Sequence, residues 1–142
     1  GGWNRRSGDM AAVSQRLVKA GFVVFNMRYR LAPENPFPLA VEDVRDAIAW
    51  LRSHSQKYRI DPENISGWGY SAGANLILLA GLDPSVGLRA IVSGGTPADL
   101  TAWPNSPLVL KFLGVPLNAK PELWKAASPV NQVKEKSPRV FL

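Results

Sequence analysis

The chain has 142 residues, 46% of them hydrophobic and 20% charged, and its 17 basic against 11 acidic residues leave a net charge of +6. That balance suits a globular domain with a real core, and the basic residues are scattered rather than gathered into an aromatic-laced stripe, which argues against nucleic acid as a partner. The lack of cysteine excludes disulfides and thiolate metal sites, the single histidine excludes a His-rich metal cluster, and there is neither a bilayer-spanning apolar run nor a signal-peptide pattern.

The chain opens on Gly1-Gly2-Trp3-Asn4, a natural piece of a loop whose backbone N–H groups approach a ligand closely. Arg6 to Ala20 reads as a helix, with Ser7 as its cap, Met10, Val13, Leu17 and Ala20 near helical spacing, and Gly21 as its stop. Phe22 to Met27 reads as a buried strand. Tyr29-Arg30-Leu31-Ala32-Pro33-Glu34 leaves it into a loop in which Pro33, Pro36 and Pro38 bar regular structure. Leu39 to Ser53 is an amphipathic helix with Val41, Val44, Ile48 and Leu51 on one face, and Glu42 and Asp43 in the first turn, where the helix dipole favours them. Arg30, Glu34, Glu42 and Asp43 are expected to make structural ion pairs around the proline loop.

Asp61-Pro62-Glu63-Asn64 is a turn, Ile65 to Trp68 a short strand, and Ala72 to Leu82 a helix apolar on nearly every face. Between strand and helix stands Gly69-Tyr70-Ser71-Ala72-Gly73, a G-x-S-x-G pentapeptide. Its spacing suits a tight strand-to-helix turn that lifts the serine hydroxyl above the sheet, with glycine at both outer positions because side chains there would collide. Ser71 is expected in a strained conformation. The Ala72 N–H, at a helix N-terminus, is placed to donate to an oxyanion. The competing reading is an ordinary glycine-rich turn with a capping serine.

Gly81 to Gly87 is a turn region and Leu88 to Ser93 a further strand, ended by Gly94-Gly95-Thr96-Pro97. From residue 98 to about 136, five prolines cut the chain into short pieces, with helices expected near Leu108–Leu113 and Leu123–Ala127. This stretch is a candidate cap insert. Trp103, Leu108, Phe112, Leu113 and Trp124 either line an acyl pocket or bury the insert on the core. Arg139 to Leu142 begins another strand. Strands alternating with helices imply a mostly parallel sheet with helices on both faces, an α/β fold, here incomplete.

Four motifs give the chain a family likeness: Gly1-Gly2-Trp3, Tyr29-Arg30-Leu31-Ala32-Pro33-Glu34, Asp61-Pro62-Glu63-Asn64 and Gly69-Tyr70-Ser71-Ala72-Gly73. With these it resembles the α/β-hydrolase superfamily, in particular the esterase/lipase branch of hormone-sensitive-lipase-like and feruloyl-esterase-like carboxylesterases. The first motif looks like the end of a His-Gly-Gly-Gly-Trp oxyanion loop. The resemblance implies Ser71 as nucleophile, oxyanion N–H groups from Gly1, Gly2 and Ala72, and no metal or organic cofactor. It also implies an acid and a histidine after the next two strands, in the order Ser…Asp/Glu…His. The chain ends before both, so it is expected to be a fragment truncated at both ends, inactive by itself, and lacking the triad histidine.

His54, the single histidine, precedes Ser71 and sits near the end of a crossover helix, so it reads as a surface imidazole. Asp99 follows the strand after the elbow, at the sheet edge that carries Ser71, and is the in-chain candidate for the triad acid; loop capping is the alternative. Asp83 falls at the opposite edge. The function expected is hydrolysis of small-molecule carboxylic esters through an acyl-enzyme on Ser71. The alternatives are a formamidase-like or prolyl-oligopeptidase-like amidase on the same fold, and a non-catalytic binding domain.

Overall fold

The computed structural model describes residues 1–5 and 10–142. The helix expected from Arg6 is described from α1 (Ala11–Lys19), and its expected Ser7 cap lies outside the described residues. It ends in a Schellman motif, with the Gly21 N–H donating to the Val18 carbonyl and the Phe22 N–H to that of Leu17. The amphipathic helix α2 (Leu39–Ser53) runs where its periodicity predicts and buries Ala40, Val41, Val44 and Ile48. A single turn, α3 (Ser55–Tyr58), leads into the Asp61–Asn64 turn. There the Asp61 carboxylate accepts from the Glu63 N–H at 3.0 Å and from the Asn64 amide at 2.6 Å. These bonds, that from Asn64 foremost, hold its pKa below the usual aspartate value.

Three strands follow: β1 (Ser66–Tyr70), β2 (Ala90–Gly94) and β3 (Arg139–Phe141). They form one parallel sheet in the order β1-β2-β3, with Gly67 beside Ile91 and Ile91 beside Val140. The crossover from β1 to β2 is α4 (Ala72–Gly81), buried along almost its whole length, as a helix without a polar face must be. It packs on both strands and on α2. The core gathers around it: Leu76, Ile77, Leu79 and Ile91 with Val41, Val44 and Ile48 of α2. On the opposite face of the sheet Trp68, Val92 and Phe141 are exposed. No helix among the described residues is long and apolar enough to cross a membrane.

The strand expected at Phe22–Met27 does not form. Extended chain becomes a strand only with a hydrogen-bonded neighbour, and no strand of the described residues pairs with this segment. Phe22, Val23 and Phe25 are accordingly exposed rather than buried. The proline loop behaves as expected at three of its four charges. Arg30 pairs with Asp43 at 2.8 Å and with Glu42 at 3.5 Å, and its backbone N–H donates to Asp43 at 2.7 Å. Glu34 joins no ion pair among the described residues, because it projects into solvent from the turn at Leu31–Asn35.

Residues 98–136 carry two short helices, α5 (Pro107–Leu113) and α6 (Pro121–Ala126). Phe112, Leu113 and Trp124 are buried in the common core, whereas Trp103 and Leu108 are exposed. The insert is tied down by polar bonds as well. The Trp124 indole donates to the Val115 carbonyl at 3.1 Å, and the buried Ser128 hydroxyl accepts from the Leu100 N–H at 2.9 Å.

Asp83, at the far end of α4, accepts from the Ser85 N–H and hydroxyl and from Lys134. These contacts, the backbone bond first, bring its pKa down to about 2. A carboxylate whose folded pKa is depressed stabilises the fold above its unfolded pKa and loses that contribution as pH falls through the folded one. Asp83→Asn is therefore expected to lower stability at neutral pH and to flatten the profile between about pH 4 and pH 2, so that the variant and the wild type converge at the acid end, as read by thermal melts from neutral to acid pH. An unchanged acid limb would show that these contacts do not persist in solution.

Candidate active site

Ser71 stands at the C-terminal edge of the parallel sheet, between β1 and α4. Its backbone lies at φ 52° and ψ −119°, a combination that residues with a side chain rarely adopt and that costs on the order of 1–3 kcal/mol. The surroundings enforce it. The Ser71 N–H donates to the Gly94 carbonyl of β2 at 2.8 Å, and the Ser71 carbonyl accepts the Asn75 N–H at 3.1 Å as α4 begins. The hydroxyl has no hydrogen-bond partner among the described residues. The Ala72 N–H, in the first turn of α4, is likewise unbonded there, and the helix dipole favours negative charge at that point.

The two elbow glycines differ. A Cβ on Gly69 would lie 2.4 Å from the Gly73 carbonyl oxygen and 2.7 Å from the Ala74 nitrogen, so the strand and helix backbones touch there. A Cβ on Gly73 would meet nothing within 4 Å. The expectation that both positions exclude a side chain thus holds only at Gly69. The reason is direction: the approach is made by the bare face of Gly69 against the Gly73 peptide, while a side chain on Gly73 would enter open space.

The Gly1–Asn4 loop is a tight left-handed turn, with Gly2 at φ 64° and Trp3 at φ 59°. The Gly1 nitrogen donates to the Arg5 carbonyl at 3.0 Å and closes it. Trp3 is 3% exposed, stacks on Phe112 at 4.6 Å between ring centroids, and accepts the Ala32 N–H at its carbonyl at 3.0 Å. The Gly1–Trp3 motif and the proline-loop motif therefore meet in one contact. Leu108 of α5 covers Gly2, its methyl carbons 2.9 and 3.2 Å from where a Gly2 Cβ would stand.

Asn75 joins these parts, and it was not singled out in the sequence. Fully buried, it accepts the Trp3 indole N–H at 3.2 Å and donates to the carbonyls of Pro97 and Ala127, each at 3.1 Å. The available signal was composition: within Ala72–Gly81 it is the single polar side chain, and a buried amide is found where its bonds are satisfied.

The other titratable candidates lie elsewhere or are engaged. His54 caps the C-terminus of α2, on the connection that enters β1 from the end opposite Ser71. Its ring stacks on Trp50 at 4.1 Å. Asp99 shares the C-terminal sheet edge with Ser71, but one carboxylate oxygen accepts the Thr101 N–H at 2.9 Å and the Thr101 hydroxyl at 2.6 Å, as a cap. Asp83 is bound to Ser85 and Lys134 at the opposite edge. Among the described residues no cluster of three His, Cys, Asp or Glu side chains is placed to hold a metal ion.

Comparison with known proteins bears on the family and the fold. The family model described as BD-FAE matches residues 1–142. Esterase LipQ of Mycobacterium tuberculosis is 30% identical over 162 aligned positions, covering 100% of this chain and 38% of the relative. Esterase LipC of the same organism is 30% identical over 147 positions, covering 89% of this chain and 36% of its own length. The chain thus spans little more than a third of these curated relatives. Among solved structures, the acetyl ester-xyloside bifunctional hydrolase of Caldicellulosiruptor lactoaceticus superposes with a TM-score of 0.86 at 28% identity, over 100% of this chain and 57% of that one.

Proposed function

The chain belongs to the BD-FAE family and has the α/β-hydrolase fold, and from that premise we propose that it is the nucleophile-bearing part of a serine hydrolase acting on small carboxylic esters. The observation that carries the proposal is the strained Ser71, its hydroxyl unbonded, beside an unbonded helix N-terminal N–H. Ser71 Oγ attacks the ester carbonyl and forms a tetrahedral intermediate. Its oxyanion is held by the N–H groups of Ala72 and Gly2; the Gly1 nitrogen, which the resemblance also implied, is already engaged with the Arg5 carbonyl. The alcohol leaves, an acyl-Ser71 remains, and water then releases the acid.

A serine hydroxyl needs a base to take its proton. His54 is on the wrong side of β1, so we assign the base to a histidine outside these 142 residues, with an acid beside it; Asp99 is the in-chain alternative for that acid. Leu108, seated on Gly2, borders the space where the acyl group would lie. That closeness favours a short acyl chain, in keeping with the acetyl ester in the name of the Caldicellulosiruptor enzyme.

The test is labelling of the full-length protein with a fluorophosphonate, followed by peptide mass analysis and assays on matched short-chain esters and amides. A covalent adduct on the peptide carrying Ser71, with esters turned over faster than amides, is expected. No adduct at Ser71 would favour a binding domain instead, and faster amide cleavage an amidase. The 142-residue chain alone should be nearly inert; saturable, Ser71-dependent turnover by it would move the base to His54 and the acid to Asp99.

A further inference from the structure

Among the described residues three non-glycines have positive φ: Trp3, Arg59 and Ser71. Arg59 is the left-handed cap of α3, an ordinary place for that conformation. The other two stand at the candidate site, and such backbone persists only where its surroundings over-determine it. What links them is one side chain. Asn75 bonds the Trp3 indole through its oxygen and the Pro97 and Ala127 carbonyls through its nitrogen, while its own N–H donates to the Ser71 carbonyl.

The amide can face only one way. Turned over, its oxygen would oppose two carbonyl oxygens and its nitrogen the indole N–H, so every bond would be lost. Its oxygen is thereby fixed as an acceptor for Trp3. The indole, clamped between that acceptor and the stack on Phe112, fixes the left-handed turn that carries Gly2, the oxyanion donor of the proposed mechanism. Removing the bond would leave the nucleophile in place and free the loop.

We infer that Asn75 is a positioning residue that sets the oxyanion loop against Ser71 through the indole N–H of Trp3; this rests on the esterase reading above. The role differs from packing, because it predicts a loss of transition-state stabilisation rather than of folded protein.

Trp3→Phe in the full-length protein tests it, since it removes the N–H donor and keeps a ring to stack on Phe112. Active sites are first counted by fluorophosphonate titration. Per titrated site, kcat is expected to fall by about 10- to 100-fold, approaching the loss of an oxyanion donor. KM should move less than about threefold, as for an interaction made mainly in the transition state. Affinity for a trifluoromethyl ketone, whose adduct places an oxyanion in the hole, should fall in step with kcat. In the Asn75→Ala background the same change should add less than about threefold, because the bond is already gone.

A kcat per site within twofold of wild type overturns the inference, as does a fall in the titratable fraction alone, the signature of a purely structural role. If Trp3→Phe does not fold, the same readouts apply to a Trp3 analogue with sulfur in place of the indole N–H, which keeps the shape of the ring. Wild-type protein that takes no label at Ser71 would instead overturn the esterase reading, and this inference with it.

Discussion

Ser71→Ala in the full-length protein is expected to remove ester turnover, by a factor on the order of a million in kcat, with folding left intact. The hydroxyl makes no bond among the described residues, so its loss breaks no contact that holds the elbow. The backbone bonds to Gly94 and from Asn75 remain available to alanine. A companion variant separates strain from chemistry. At φ 52° and ψ −119° the backbone sits where glycine alone is comfortable, so Ser71→Gly should be inactive and more stable than Ser71→Ala by about 1 kcal/mol, the scale of such strain. Together these results would show a residue kept in an unfavourable conformation for its hydroxyl. Near-normal turnover in Ser71→Ala removes Ser71 from the mechanism. Equal stability of the alanine and glycine variants would deny the strain.

What the sequence made legible follows from which signals are local. The periodicity of Leu39–Ser53 and the wholly apolar run after Ala72 are properties of single segments, and both helices form where those patterns lie. The elbow was legible for the same reason, since its five residues encode one turn. Phe22–Met27 was not: its composition is that of a buried strand, but strand pairing is a contact between segments, and none of the described strands pairs with it. The insert was half legible. Its apolar residues announced burial without saying where, and the core takes Phe112, Leu113 and Trp124 while Leu108 rests on Gly2. Asn75 was missed because its meaning lies in partners 72, 22 and 52 positions away. Gly73 was misjudged because a motif counts glycines and does not show which one the backbone needs.

That last distinction gives the second large effect. Gly69→Ala should destabilise the protein by about 3 kcal/mol or more, at the upper end of overpacking costs. The methyl would stand 2.4 Å from the Gly73 carbonyl oxygen, 2.5 Å from its carbon and 2.7 Å from the Ala74 nitrogen. These are backbone atoms at the start of α4, so no rotamer change relieves the clash. Relief requires moving α4 away from β1, and α4 carries Leu76, Ile77 and Leu79 of the core. The same movement would pull the Ala72 N–H away from Ser71, so turnover should fall in whatever fraction still folds. Gly73→Ala is the control: its Cβ meets open space, and alanine is the better helix former, so stability should stay within about 0.5 kcal/mol, as at unremarkable surface positions. Chemical denaturation of the two variants side by side decides the matter. A large loss at position 73 with little at position 69 would mean that the strand and the helix approach each other through the other glycine.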